Sequence, residues 1–258
     1  KKVKNFISVK NDYTLNLENI IIQNTNASNG SAVSTNNATV NIQNSQFNNN
    51  NASMGGAIHN YNRSSITITN TTFNNNNAKS GGAIYNRFAN LTVTNVTATK
   101  NNATWGGFVY NAYNGDVRLI NSQFNKNNAS IGGVSYTALT SRTKVSNSNF
   151  TENTANSYAG AIYVQNSNAT VENSNFNKGT SKYGGSLYMD GGIVTITNSN
   201  FTEDQAKAGS GGSLYATGSN VKLTVSNSNF KDCTSDMGGA IYTNTNGLVV
   251  ENSNFKNC

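Results

Sequence analysis

Two glycines followed by a small residue, an aliphatic residue and a tyrosine recur along the whole chain. Examples are Gly81-Gly82-Ala83-Ile84-Tyr85, Gly184-Gly185-Ser186-Leu187-Tyr188 and Gly238-Gly239-Ala240-Ile241-Tyr242, and the spacing is 25 to 27 residues. A fixed period in this range marks a solenoid or an array, because each unit leaves a face that only its neighbours can cover. A second marker, Asn-Ser-x-Phe and its variants, ends at Phe47, Phe73, Ala98, Phe124, Phe150, Phe176, Phe201, Phe230 and Phe255. It keeps the same period, stretched once to 29 residues between Phe201 and Phe230.

The segment before each such Phe alternates, as in Ile66-Thr67-Ile68-Thr69, Leu91-Thr92-Val93-Thr94 and Val194-Thr195-Ile196-Thr197. Period two with β-branched residues predicts a strand buried on one face, and no 3.6-residue period occurs anywhere. One unit contains about four large apolar residues, such as Ile66, Ile68, Phe73 and Ile84. Their burial is too little to offset the conformational entropy of an isolated unit, so the units must stack. The prediction is an all-β fold, a single-stranded right-handed parallel β-helix of about nine to ten coils of 25–27 residues. It forms one domain over 1–258, with a degenerate first coil over 1–30, where Leu15, Leu17 and Ile22 align with Val40, Ile42 and Phe47, and a last coil over 231–258. At about 4.8 Å per coil the rod is roughly 45 Å long.

In a solenoid, residues one repeat apart lie on top of one another, so chemistry is read in columns. The Asn column, from Asn19, Asn44 and Asn70 to Asn227 and Asn252, suits a bend and a ladder of stacked amides. The aliphatic column of Ile58, Ile84, Val109, Ser135, Ile162, Leu187, Leu214 and Ile241 points inward with the Phe column, Ser135 being its soft spot. Alternation then places His59, Tyr85, Tyr110, Tyr136, Tyr163, Tyr188, Tyr215 and Tyr242 outside. Such a stripe of rings either grips a sugar or a partner's surface or stacks only to stabilise the rod. Met54, Trp105, Ile131, Tyr158, Tyr183 and Met237 precede the glycines, interrupted by Ser80 and Ser210. If exposed they extend the stripe into an apolar patch; a buried corner is the other reading. Lys100, Lys126, Glu152, Lys178, Glu203 and Asp232 form a charge ladder of mixed sign. Thr67, Thr92, Thr170, Thr195 and Thr224 would suit an ice-binding face, but Arg118, Lys144 and Val249 interrupt it.

Composition narrows the function. Only 11% of residues are charged, against about 25% in average soluble domains, and about a fifth are Asn, so amides and hydroxyls supply the polar surface. Regular apolar spacing argues against disorder, and no apolar run is long enough for a membrane-spanning helix. The net charge of +7 comes from scattered cations with no basic helix or RNA-binding aromatic motif, which argues against nucleic acid as partner. Cys233 and Cys258 each follow a Phe by three and occupy one column in adjacent coils. That spacing predicts a disulfide latching the last coil, and with it an oxidising extracellular setting; two free thiols are the alternative. Asn-x-Ser/Thr sequons at Asn51, Asn70, Asn90, Asn102, Asn128 and Asn168 permit glycosylation. One His and two Cys suggest no metal site, and no cofactor motif occurs.

Polysaccharide hydrolysis needs paired carboxylates on one cleft, and calcium-assisted lyase chemistry needs clustered acids near a base. Asp190, Glu203, Asp204, Asp232 and Asp236 are the densest acids but hold different column positions, so no catalytic residue is assigned.

Gly-Gly-Ala-Ile with Phe-x-x-Asn, as in Phe47 to Asn50, Phe73 to Asn76, Phe124 to Asn127 and Phe150 to Asn153, resembles the repeats of chlamydial polymorphic outer-membrane adhesins. With this Asn-rich composition it also resembles the adhesin-like surface proteins of methanogenic archaea. Gly179, Asp204, Cys233 and Cys258 depart from the motif. The resemblance implies a non-enzymatic cell-surface module, part of a longer protein, that binds an extracellular glycan or a cell-surface receptor. The tyrosine column is the candidate binding face, the segment does not insert into a membrane, and the chain is a monomer capable of end-to-end assembly. A structural stalk is the alternative function, and a polysaccharide-active enzyme the third.

Overall fold

The glycine pairs are corners. In the computed structural model, which describes residues 5–258, the first glycine of each pair from Gly55 to Gly238 takes φ between 62 and 70°, and Ala159 fills the same role at 57°. Gly56 has a second constraint, because a Cβ there would run into the carbonyl oxygen of Gly82 in the next coil. These corners let coils approach at strand spacing.

Four short strands make one coil, for example Ile84–Arg87, Asn90–Thr94, Thr97–Thr99 and Asn102–Trp105. We refer to them as the tyrosine, alternating, phenylalanine and Asn-Ala strands. Stacked over ten coils, the first two kinds join in an 18-stranded sheet, the phenylalanine strands form a 10-stranded sheet and the Asn-Ala strands a 7-stranded one. In two coils the tyrosine and alternating strands run on as one, Ile162–Glu172 and Leu187–Thr197. All pairing is parallel, and the register follows the repeat: Leu15 lies on Val40, Leu17 on Ile42 and Ile22 on Phe47. The chain is therefore an all-β parallel solenoid without a helix among the described residues.

The interior is built in columns. Ile58, Ile84, Val109, Ile162, Leu187 and Leu214 are fully buried, and so is Ser135, whose hydroxyl lies 3.3 Å from that of Thr137. The phenylalanines stack with centroids 4.5 to 5.0 Å apart from Phe47 to Phe73 and again from Phe124 to Phe255. Between these runs Ala98 would leave a hole. Phe108 fills it from the residue after the glycine pair, its ring 5.5 Å from Phe73 and 5.3 Å from Phe124.

Polar groups are satisfied just as regularly. Each buried serine before the phenylalanine strand accepts the N–H of its counterpart one coil earlier, at 3.1 to 3.2 Å for Ser148, Ser174, Ser199 and Ser228. The same hydroxyls donate to the carbonyl two residues back. A second ladder is made of Asn76, Asn101, Asn127 and Asn153, fully buried or nearly so. Each of the first three amides donates to the next, at 2.9, 3.0 and 3.1 Å. Each also donates to the backbone of a phenylalanine strand, Phe47, Phe73 and Ala98 in turn. A third ladder joins Asn60 to Asn86 at 2.7 Å and Asn86 to Asn111 at 2.9 Å. A buried amide is tolerated only when both its ends find partners, and the ladders supply them.

The Asn column of Asn-Ser-x-Phe does something different. From Asn19 to Asn252 it sits on an exposed corner with φ between 46 and 55°, and only some neighbouring amides bond, as Asn70 to Asn44 and Asn95 to Asn70 at 3.2 Å. Asn is the residue that takes the left-handed conformation at least cost after Gly. The column is thus a bend first and a ladder second.

Candidate binding surface

The tyrosine strand sends Ile84 inward and Tyr85 outward, and the in-register stack repeats this in every coil from His59 to Tyr242. Neighbouring rings lie 4.8 to 5.4 Å apart and within 24° of parallel. The stripe is real, but its ring faces are spent on one another. Tyr85 and Tyr163 are each only 6% exposed, so each ring offers an edge and not a platform. Burial raises the phenols of Tyr85, Tyr110, Tyr136, Tyr163, Tyr188 and Tyr215 above their ordinary pKa, most strongly at Tyr110, Tyr163 and Tyr188, and keeps them neutral. His59 caps the stack on Tyr85; burial, with Arg87 nearby, lowers it to about 4, so it too is neutral near pH 7.

The row before the glycines lies against this stripe. Trp105, Ile131, Tyr158 and Tyr183 are half-buried, Ser80 and Ser210 are buried, and Met237 is exposed. Ile131, Tyr158 and Tyr183 pack with Tyr136, Tyr163, Tyr188 and Tyr215 into a second apolar cluster, separate from the interior core. Tyr158 stacks on Tyr183 at 5.8 Å and leans on Tyr188 at 4.7 Å. Both readings of this row therefore hold in part: the residues cover the tyrosines and remain partly accessible themselves.

The other end of the tyrosine strand carries a feature that reading the motifs alone missed. Phe88 and Tyr113, in the corner after the strand, lie 5.4 Å apart, and the guanidinium carbon of Arg87 sits 4.1 Å from the Tyr113 ring centroid and 5.1 Å from that of Phe88. Comparing the corner residue from coil to coil would have found it.

The remaining candidates are dispersed. Thr67, Thr92, Arg118, Lys144, Thr170, Thr195, Thr224 and Val249 follow one another in register, so the cations do break the hydroxyl face. The charge ladder pairs Lys126 with Glu152 at 3.5 Å and Lys178 with Glu203 at 3.7 Å on an exposed corner, where each contributes little. Of the densest acids, Asp204 is in the interior, Glu203 and Asp232 are on that outer corner, and Asp190 is on the outer face of the tyrosine strand, within 3.4 Å of the Gln165 amide.

The predicted latch is not formed. Both cysteines are free, Cys233 buried and Cys258 exposed. In-register residues adopt parallel side-chain directions, so each sulfur turns to the carbonyl two residues back, Lys231 at 3.3 Å and Lys256 at 3.4 Å, rather than to the other. Ser213 donates to the Cys233 sulfur at 3.0 Å, and burial pushes that thiol up to about 12.

A scan of the chain against protein-family models, a search of curated proteins and a search of solved structures return no match.

Proposed function

We propose that this solenoid is an extracellular, cell-surface adhesin module that holds a carbohydrate or a partner cell's surface without performing chemistry on it. The observation that carries this reading is the second apolar cluster on the outer face of the tyrosine strands. The interior core is complete without it, and a partly exposed aromatic layer of this kind marks an interaction surface. Tyr and Trp suit the task because they bury a large area at small entropic cost and keep a polar tip. The rod holds that surface rigid, since the tyrosine strands that carry it are bonded to the coils on both sides. The half-exposed Tyr158 and Tyr183, and not the covered rings of the stripe, are the contact residues.

Affinity electrophoresis through gels containing wall polysaccharides tests this. The chain is retarded in at least one gel, and Tyr158→Ala with Tyr183→Ala reduces the retardation about tenfold or more, the loss typical of two aromatic anchors. Free migration in every gel would favour the stalk reading instead.

A further inference from the structure

We propose that the corner formed by Phe88, Tyr113 and Leu139, with Arg87 behind it, is a binding site for an acidic saccharide, a sugar ring bearing a carboxylate. This rests on the carbohydrate-binding reading above and narrows it to a site and a ligand class.

The first argument is backbone conformation. The residue four places after the inward residue that opens each tyrosine strand takes positive φ in nine successive coils: Asn11, Asn37 and Asn62, then Phe88 (51°), Tyr113 (57°) and Leu139 (57°), then Asn166, Gly191 and Gly218. Asn and Gly enter this region readily, whereas large side chains are strained there. Only in three consecutive coils does the sequence abandon the comfortable residues. The second argument is exposure, for the three side chains so placed are 40%, 36% and 43% accessible. Each leaves more than a third of its surface in solvent. Charged residues such as Lys100, Lys126 and Glu152 also take positive φ on another corner, but only at this patch does that conformation coincide with exposed large apolar side chains, the combination a functional site leaves behind.

The third argument is charge. Arg87 lies against Tyr113, Phe88 and Tyr61, its guanidinium carbon 4.1, 5.1 and 5.9 Å from their centroids. Its Nε is buried without a hydrogen-bond partner, and among the described residues no carboxylate lies within ion-pair distance of it. Asp116, at the start of the next alternating strand, is committed to Arg118 at 3.4 Å. Exposed Arg63, one coil earlier, has its backbone N–H on the Phe88 carbonyl at 2.7 Å and adds to the positive field. A half-desolvated guanidinium held among rings, with the neutral Tyr85 phenol beside it but no anion, has N–H donors left for a carboxylate. Phe88 and Tyr113 beside it supply the apolar surface on which the C–H face of the sugar rests.

Polygalacturonate and its fully methyl-esterified form share a backbone and differ in free carboxylates, so they isolate the charge. At about 0.15 M salt, where long-range attraction is screened, the chain binds the acid form and not the ester. Arg87→Gln weakens this binding about tenfold or more, whereas Arg142→Gln, which removes the same charge from the alternating strand, leaves it unchanged. Phe88→Asn loses binding while its unfolding midpoint rises, because Asn relieves the corner; misfolding therefore cannot be mistaken for loss of a contact. Equal binding of acid and ester, equal loss in the two arginine variants, or full binding by Phe88→Asn would each overturn the proposal. So would equal binding of polyglutamate, which carries carboxylates without a sugar. Retention of neutral polysaccharides that depends on Tyr158 and Tyr183, without retention of the acid, sinks this site and leaves the adhesin reading standing.

Discussion

Replacing Phe108 by Ala lowers the stability of the chain by about 4 kcal/mol, and adding Ala98→Phe to that variant restores most of the loss. The stack of rings fixes both results. Phe108 occupies the gap between Phe73 and Phe124 at 5.5 and 5.3 Å, so its removal leaves a ring-sized cavity that stiff neighbouring strands cannot collapse. Ala98→Phe alone also destabilises, by about 1 to 3 kcal/mol, because two rings then compete for one space. The double variant returns the coil to the pattern of Phe73 with Ala83, in which a ring from the phenylalanine strand meets a small residue after the glycines. Denaturant unfolding of the four proteins gives the coupling directly. Additive losses would mean that the two positions do not share the space.

Asp204→Asn stabilises the chain at about pH 8, by about 4 kcal/mol, and has little effect at about pH 4. Asp204 stands where earlier coils place the buried amides of Asn101, Asn127 and Asn153. Its Oδ1 accepts the Gly179 N–H at 2.8 Å, while Oδ2 is buried without a hydrogen-bond partner. Burial pushes the carboxyl up to about 7, against the pull of Ser186, Gly179 and Ser213 toward the charged form. The folded state therefore binds this proton more tightly than the unfolded state. The contribution is fully present below the ordinary carboxylate range and is lost as pH rises through about 7. His59 works in the opposite sense. Lowered to about 4, it adds stability as pH rises from there toward 6.5, so the two groups partly cancel in the parent chain. The difference between parent and Asp204→Asn removes His59 from the comparison. A difference that stays constant with pH would show that Asp204 titrates normally.

Much of this architecture was legible because the fold makes one demand ten times over. The glycine period, the alternation before each Phe and the alignment of Leu15, Leu17 and Ile22 with the second coil are all direct consequences of stacking in register. What a motif hides is which face a polar residue takes. The Asn before Ser in Asn-Ser-x-Phe and the Asn closing Phe-x-x-Asn look alike on paper, but one is an exposed left-handed corner and the other a fully satisfied interior ladder. The substitutions held the clue: the interior column is the one that changes to Gly179, Asp204 and Cys233. Phe108 was hidden for the same reason, since its role is defined by the absence of a ring at Ala98. The outward direction of the tyrosines followed from alternation, yet their mutual covering depends on a 4.8 to 5.4 Å ring spacing that pattern alone does not weigh. The corner of Phe88, Tyr113 and Leu139 is visible only when a column is read for what it stops using.

These features divide the surface from the interior. The inner columns hold rings, serines and amides that bond within the stack and offer nothing to a ligand. The outer band from Tyr183 and Tyr158 across the stripe to Phe88 and Tyr113 carries the aromatic area that the core does not require.

Co-sedimentation with insoluble wall polysaccharides, followed by a count of new reducing ends in the supernatant and pellet, tests the central claim most directly. The account predicts that the chain pellets with at least one polysaccharide and that the number of ends stays at the level of the untreated polymer. A chain that stays in solution with all of them, or one that releases new ends, would contradict it.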